Sequence, residues 1–312
     1  MHPHPEERSE GSGPLTHREH AIVRAAEAIY FDPEPGPKDR AFSARQLVQA
    51  TLPHQNPRGN PPEWYRTNGA LTLSIRPGYK TDPKTGVRRC IGYPYGVIPR
   101  LLLFWMTTEV IRTHQRRLEL GDTLSGFMRE LGLDPYTGGG QRGDAKRLRD
   151  QVERLFSATI SFDYSTDAQR SWLHMSVASK GQLWWDSPPP NRGNLLGSWI
   201  ELGEEFYQAL LEAPVPVDMR TLRTLKQSPL ALDLYTWLAY RSFTVTQKGK
   251  PAFISWRQLQ RQMGAHYHDT KNFKRRIQKT LCTLQTIYPR LKIEYVYGGL
   301  RLSPGPLLIA PR

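Results

Sequence analysis

One stretch of the sequence, from Asp269 to Ile287, carries the residue types that read DNA bases. On a helical wheel its apolar side chains fall on one side: Phe273, Ile277, Leu281 and Leu284, with Thr280. Basic and amide side chains collect on the other side: Lys271, Asn272, Arg275, Gln278 and Lys279, with Lys274 and Arg276 beside them. In a major groove Arg or Lys bonds guanine, and Asn or Gln bonds adenine. The sequence therefore predicts a helix whose outer face contacts duplex DNA.

The charge of this region supports the same interpretation. Nine Lys and Arg residues and a single acid, Asp269, lie between Trp256 and Lys292, in a chain whose net charge is +14. The alternative is a solvated helix face that only keeps the protein soluble. Such a face usually mixes both signs of charge, and this one does not. A surplus of one sign favours a polyanionic partner, of which nucleic acid is the commonest.

A second basic helix is predicted from Asp144 to Phe156, with a weaker signal. Leu148, Val152 and Leu155 define its inner side. The basic residues that remain on its outer side, or just before it, are Arg142, Lys146, Arg147 and Arg154. Asp150 and Glu153 lie among them, and mixed charge is equally typical of surface ion pairs such as Lys146 with Asp150. DNA contact and a solvated surface both remain open here, so the carboxy-terminal helix is expected to dominate binding.

Signals for catalysis are sparse. His266 and His268 have the spacing of a metal-dependent single-strand endonuclease, which needs both imidazoles on one face of a strand and a nucleophilic tyrosine nearby. Here they lie between a glycine that ends one helix and the cap of the next, which favours a turn. The Gly138–Gly140 run lacks the Gly-Lys-Ser/Thr ending of a phosphate loop. We expect no enzymatic activity, cofactor or metal, with a metal-dependent nicking initiator as the alternative.

The elements that position the two basic helices form an internal repeat. Trp105 and Trp237 lie in apolar helices and are 132 residues apart. The same offset relates Thr123 to Ser255, Phe127 to Leu259, Leu131 to Met263, and Gly132 to Gly264. In each copy Thr or Ser can begin a short helix that Gly ends, as expected of the first helix of a helix-turn-helix. We expect the two tryptophans to be buried in equivalent positions.

Each basic helix is followed by sequence typical of strands. The first copy has such stretches at 158–162, 172–177 and 198–202, and the second at 291–295 and 300–302. A helix, a helix-turn-helix and a hairpin, found twice, predict an α+β fold. Its architecture is a tandem winged helix, two helix-turn-helix units each with a β-hairpin wing, with a small N-terminal extension.

Composition shifts divide the chain further. The predicted parts are a flexible tail (1–15), an N-terminal extension (16–96), a first winged helix (97–202), a second winged helix (203–304) and a C-terminal tail (305–312). The extension is expected to hold two short helices, starting at Thr16 and Ser43, and one strand, Leu71–Ile75. Its remaining Pro- and Gly-rich residues up to 99 predict loops.

Composition also excludes several classes of protein. Two cysteines, Cys90 and Cys282, make neither a disulfide scaffold nor a zinc site. The longest apolar run, Leu101–Met106, is far shorter than the ~20 residues that cross a bilayer. The first residues lack the apolar core of a signal peptide. A cytoplasmic protein without a membrane segment is therefore expected.

From about Ser43 to Leu302 the sequence resembles the bacterial plasmid-encoded RepA-type replication initiators. The resemblance is carried by strings at 51–54, 64–69, 71–78, 93–103, 107–110, 120–124, 127–132, 147–151, 154–160 and 228–233, among them Trp-Tyr-Arg-Thr-Asn-Gly and Ser-Pro-Leu-Ala-Leu-Asp. It implies an initiator that recognises repeated sites at the origin of its own plasmid and brings in a host initiator or helicase. The turn Gly140–Ala145 departs from the family pattern, which bears on where the first recognition helix starts.

Together these observations predict a sequence-specific binder of double-stranded plasmid origin DNA with no chemistry of its own. A transcriptional repressor of the same fold would use identical contacts, so that function also stays open. Whether the protein forms a homodimer is not determined by the sequence.

Overall fold

The computed structural model describes residues 15–136, 143–183, 197–263 and 269–309. The helices are α1 (His17–Phe31), α2 (Arg45–Gln49), α3 (Val97–Thr113), α4 (Leu124–Glu130), α5 (Asp144–Phe156), α6 (Glu204–Leu211), α7 (Met219–Leu225), α8 (Pro229–Lys248), α9 (Trp256–Gln262) and α10 (Thr270–Ile287). The strands are β1 (Arg40–Ser43), β2 (Trp64–Asn68), β3 (Leu71–Arg76), β4 (Tyr79–Thr81), β5 (Arg88–Cys90), β6 (Arg117–Gly121), β7 (Thr159–Ser165), β8 (Arg170–Ser176), β9 (Ala178–Gln182), β10 (Ser198–Leu202), β11 (Val215–Asp218), β12 (Ala252–Ser255), β13 (Ile293–Val296) and β14 (Gly299–Leu302).

The strands form several small sheets, and every strand pair among the described residues is antiparallel. The strand orders are β1-β11, β2-β3-β7-β8, β4-β5, β6-β10-β9 and β12-β14-β13. Helices and antiparallel sheets therefore mix along the chain, which confirms the α+β class. No helix among the described residues is long and apolar enough to span a bilayer.

Two apolar cores hold the repeated elements. Trp105 is 8% exposed and belongs to one core, where its ring meets Phe127 edge-on with centroids 4.9 Å apart. Trp237 is 2% exposed and belongs to the other core. The inner residues of the two long helices are fully buried at matching positions: Leu148, Val152 and Leu155 in α5, and Ile277, Leu281 and Leu284 in α10. The expected burial of both tryptophans is confirmed, while Gly264 lies outside the described residues.

The N-terminal part of the chain contributes to both cores. β1 pairs with β11, with Ser43 opposite Val215, and α1 packs on α7 and α10. β3 pairs with β7, so this segment also extends the sheet that follows α5. Ser43 is thus a strand residue and α2 begins only at Arg45, because pairing with β11 overrides the local helix signal. The segment predicted as loops contains three further strands, β2, β4 and β5. Pro and Gly residues of this segment occupy the turns between the strands.

The first hairpin differs from the predicted pattern. β7 lies between β8 and β3, and β6 pairs with β10 rather than with this hairpin. In the second copy β12, which lies between α8 and α9, pairs with β14, and β14 pairs with β13. This strand order matches that of β6, β10 and β9 in the first copy. Near the C-terminus Leu308 and Ile309 are buried, and Leu308 packs into the second core. The domain boundaries themselves stay predictions.

Candidate nucleic-acid interface

α10 presents the basic surface that the sequence predicted. The side chain of Asp269 accepts a hydrogen bond from the Lys271 amide at 2.8 Å and begins the helix. Phe273 and Ile277 are fully buried, so the inner side of the helix has the predicted rotation. On the outer side Gln278 is partly exposed. The other six predicted contact residues are exposed: Lys271, Asn272, Lys274, Arg275, Arg276 and Lys279.

The outer surface of α10 keeps its positive charge. Among the described residues, no carboxylate oxygen lies within 4.0 Å of a side-chain nitrogen of Lys271, Arg275 or Lys279. Arg275 instead donates to the amide oxygen of Asn272 at 3.3 Å, which holds these two side chains next to each other. The Lys274 ammonium lies 5.6 Å from the centre of the Trp256 ring in α9. The surface can therefore offer charge and hydrogen-bond donors to an anionic partner.

α1 packs against α10 beside this surface. Thr16 and Glu19 form a capping box at the start of α1, as the sequence predicted. The pKa of Glu19 is lowered first by hydrogen bonds from Thr16 and in addition by the nearby Lys279 ammonium. At the other end of α1, Arg220 of α7 donates to the carbonyl oxygens of Ala28 and Asp32. Because Glu19 is near Lys279, α1 places a negative charge beside the middle of α10.

α5 provides a smaller surface than α10. Lys146 and Arg147 are exposed, and Arg147 pairs with Asp144 at 2.9 Å. This pair takes the place of the Lys146–Asp150 pair that the sequence suggested. Since part of its basic charge is neutralised within the helix, α5 offers a weaker attraction to phosphates than α10 does.

Arg154 is engaged inside the protein. Its guanidinium lies 5.3 Å from the centre of the Tyr95 ring and donates to the Tyr93 carbonyl and the Asn56 side chain, both at 3.3 Å. The structure therefore places Arg154 against the N-terminal segment, away from Lys146 and Arg147. Helix periodicity could not reveal this, because the partners lie about 60 to 100 residues earlier in the chain.

Several sequence-predicted features lie outside the described residues. These are Arg142, the Gly138–Gly140 turn, and His266 and His268. Among the described residues there is no group of three or more His, Cys, Asp or Glu side chains that could hold a metal ion.

A buried ion pair joins the two repeats, and sequence reasoning missed it. Arg100 of α3 bonds both carboxylate oxygens of Asp233 of α8, at 2.6 and 2.7 Å. His54 Nε2 also donates to this carboxylate at 2.7 Å. Arg100 further donates to three backbone carbonyls, those of Leu52, Pro53 and Gly96. An Arg and an Asp at buried positions of two apolar helices are the only signal that could have revealed the pair.

The titration of this cluster follows from its burial. Burial raises the pKa of the Asp233 carboxyl, but the Arg100 charge and the hydrogen bonds from His54 and Arg100 outweigh it and hold this pKa well below its usual range. Burial lowers the pKa of His54 and exceeds the opposing effect of Asp233. His54 is therefore a neutral donor, and the charge of Arg100 balances that of Asp233.

We expect acid to destabilise the fold through His54. A group whose pKa is lowered by folding contributes stability above its unfolded pKa, here near 6.5, and loses it as the pH falls. The free energy of unfolding, measured with urea from pH 7.5 to pH 5, should decrease in the wild type. His54→Gln, which keeps an uncharged donor, should flatten this decrease, whereas His20→Gln on the exposed side of α1 should not. Equal pH dependence in all three proteins would contradict the assignment.

The sequence places the chain in a known family. Residues 93–258, more than half of the chain, match the family described as plasmid-encoded RepA protein. The chain therefore belongs to this family, the RepA-type replication initiators that its sequence strings resemble.

Solved structures with a similar chain path are also known. Domains 2 and 3 of RctB, as a selenomethionine derivative, are 11% identical, with a TM-score of 0.47, covering 86% of this chain and 97% of that one. A second structure of the same RctB domains is 12% identical, with a TM-score of 0.43, covering 82% of this chain and 93% of that one. No match was found among curated proteins.

Proposed function

We propose that the protein initiates plasmid replication by binding repeated duplex sites at the origin in a sequence-specific manner. The observation that carries this proposal is the surface of α10, which has exposed Lys, Arg and Asn side chains. Among the described residues no carboxylate oxygen lies within 4.0 Å of the side-chain nitrogens of Lys271, Arg275 or Lys279. A basic face of this kind is the electrostatic footprint of a nucleic-acid binder. Membership in the family of plasmid-encoded RepA proteins supports the choice of origin DNA.

The second copy supports a winged helix as the binding unit. α8, β12, α9 and α10 are followed by the β13–β14 hairpin, and β12 pairs with β14. In this arrangement α9 and α10 are the two helices of a helix-turn-helix and β13–β14 is the wing. The second helix of such a unit enters the major groove with its N-terminal residues toward the bases. Lys271, Asn272 and Arg275 lie in that part of α10.

The first copy provides the second recognition helix, α5. We infer that two tandem units bring α5 and α10 to successive major grooves about one helical turn apart, which covers roughly 20 base pairs. The buried Arg100–Asp233 pair joins α3 to α8 and holds the two units in one orientation. The spacing of the recognition helices is in this way part of the folded protein.

Binding is proposed as the whole activity, with a host initiator or helicase recruited to the bound origin. The alternative is a nicking initiator that uses metal at His266 and His268. A nicking assay, in which supercoiled origin plasmid is incubated with the protein and Mg²⁺ or Mn²⁺, distinguishes these two functions. Metal-dependent open circles, absent from His266→Ala, would identify a nicking enzyme.

Footprinting on the plasmid that encodes the protein tests the proposed function directly. We expect protection of repeated sites at the origin, and protection of a single promoter alone would favour the transcriptional repressor instead. Footprints over a series of protein concentrations test whether one chain or a homodimer occupies each repeat, because a dimer gives a steeper dependence of protection on concentration.

Specificity is expected to come from Arg275 and uniform affinity from Lys279. Arg275→Ala should cost about 1–3 kcal/mol of binding free energy and relax the preference at one base pair, because arginine bonds guanine with two hydrogen bonds. Lys279→Ala should weaken binding to all sequences alike, because lysine contacts a phosphate as a point charge. Titrations over single-base variants of the site measure both effects. If base preference changes only in Lys279→Ala, the proposed rotation of α10 in the groove is wrong.

A further inference from the structure

A basic β-hairpin of the N-terminal segment projects beside α5. β4 and β5 pair with Lys80 opposite Arg89 and Thr81 opposite Arg88. Within the turn, the Asp82 side chain accepts from the amides of Lys84 and Thr85, and Gly86 donates to the Asp82 carbonyl. Residues 79–89 are exposed except Asp82, which is partly exposed. The hairpin has a defined turn although it has no apolar core of its own.

The charge of this hairpin is strongly positive. It contains four basic residues, Lys80, Lys84, Arg88 and Arg89, and one acid, Asp82. The Asp82 carboxylate bonds turn amides and lies 3.9 Å from Arg89. Arg88 stacks on the exposed Tyr79 ring at 5.2 Å, and among the described residues no carboxylate lies within 4.0 Å of the Lys84 ammonium. The turn end of the hairpin thus exposes two charges, at Lys84 and Arg88, with no anionic partner inside the described part of the chain.

The base of the hairpin is fixed to α5. Lys80 donates to both carboxylate oxygens of Glu153 at 2.7 and 3.0 Å. Gly78 lies so close to Ser157, at the end of α5, that a Cβ atom there would come within 2.3 Å of the Ser157 side chain. Lys146, Asp150 and Glu153 are four and three residues apart and share one stripe of α5. The hairpin therefore starts beside the same stripe that exposes Lys146.

The β7–β8 hairpin, which directly follows α5 in sequence, is poorly suited to contact DNA. β7 is paired on both edges, with β3 and β8, and belongs to a four-stranded sheet. Asp163 and Asp167 lie at or near its turn, and the one basic residue there, Arg170, pairs with Asp163 at 2.8 Å. Its turn would thus bring acidic groups toward phosphates, whereas the β4–β5 turn would bring basic ones.

We propose that the β4–β5 hairpin is the DNA-backbone arm of the first repeat, with Lys84 and Arg88 on phosphates that flank the groove occupied by α5. Lys80 positions the arm through Glu153 and does not itself contact DNA. The partner is duplex DNA, because four basic residues and a single acid lie on this hairpin beside the proposed recognition helix α5. This inference rests on the proposed function.

The test compares two double variants that remove equal charge. Lys84→Ala/Arg88→Ala removes the proposed contacts. Lys248→Ala/Lys250→Ala removes two exposed lysines around the turn before β12. That turn lies at the end of the β12–β14–β13 sheet opposite the Tyr297–Gly298 turn, because Ala252 pairs with Leu302 and Ser255 with Gly299. The probe is a duplex that the wild-type protein has selected from a random-sequence pool.

The arm predicts a specific pattern of results. Binding by Lys84→Ala/Arg88→Ala should be about 10- to 30-fold weaker at 150 mM salt, with a slope of log K against log salt shallower by about 2. Base preference should stay unchanged, and hydroxyl-radical protection should disappear from backbone positions on one side of the site only. The control variant should keep the wild-type footprint. Thermal unfolding should be the same for all three proteins, since every substituted side chain is exposed.

The outcomes separate this inference from the proposed function. If the hairpin variant matches the control while Arg275→Ala loses specificity, the arm is refuted and the proposed function stands. If the wild type selects no duplex at all, the proposed function fails and the arm with it. A change in base preference in the hairpin variant would also overturn the inference, because phosphate contacts carry no sequence information.

Discussion

Asp233→Asn is expected to lower the free energy of unfolding by about 3–5 kcal/mol, the usual cost of leaving a buried charge without its partner. The Arg100 guanidinium is 4% exposed and has Asp233 as its counter-charge, so it would remain buried and charged. Urea unfolding at pH 7.5 measures the change. Asp39→Asn provides the matched control. Asp39 also pairs with an arginine, Arg223, at 3.0 Å, but these two side chains are about one-third and one-half exposed. Exposed pairs contribute about 0–1 kcal/mol.

A double variant tests what else Arg100 does. Replacing a buried ion pair by apolar residues is often neutral. Here Arg100→Met/Asp233→Leu should remain destabilised, because the carbonyls of Leu52, Pro53 and Gly96 would each lose a donor. Full stability of the double variant, or a cost of Asp233→Asn no larger than that of Asp39→Asn, would contradict the role of the cluster as the joint between the repeats.

Binding to origin DNA is expected to fall steeply with salt. If about six to ten phosphates are neutralised, log K falls against log salt with a slope of roughly −5 to −9, which amounts to about 10³- to 10⁵-fold between 50 and 200 mM. The physical cause is the release of counterions from the phosphates that the basic surface displaces. Titrations of one selected duplex at four salt concentrations give the slope.

The surfaces of α10 and α5 are expected to contribute unequally to the affinity for DNA. Charge reversal at Arg275 should reduce affinity more than reversal at Arg147, because the α10 surface keeps its charge whereas Arg147 is already paired with Asp144. Comparable losses at the two positions would remove this ranking. A salt slope near −1 in the wild type would mean that the net charge of +14 is not at the interface.

Local sequence determined the helices and much of their rotation. The caps at Thr16, Thr123 and Ser255 were predictable because a Ser or Thr side chain bonds amides only three residues away. The inner side of α10 was predictable because helix periodicity alone separates its apolar from its basic residues. The exposed charge of the candidate interface follows from the same pattern, and so does the family, through strings of neighbouring residues.

Tertiary structure decided which of these groups are free and how the repeats join. Arg154 and Arg147 are both arginines of α5, yet Arg154 contacts the distant Tyr93 and Tyr95, whereas Arg147 pairs with Asp144 in the same helix. The Arg100–Asp233 pair links residues 133 positions apart. The strand β7, which the sequence assigned to a hairpin wing, pairs with β3 and so belongs to a larger sheet. Such contacts depend on which segments, distant in sequence, pack against each other in the fold. The local pattern of side chains does not determine that packing.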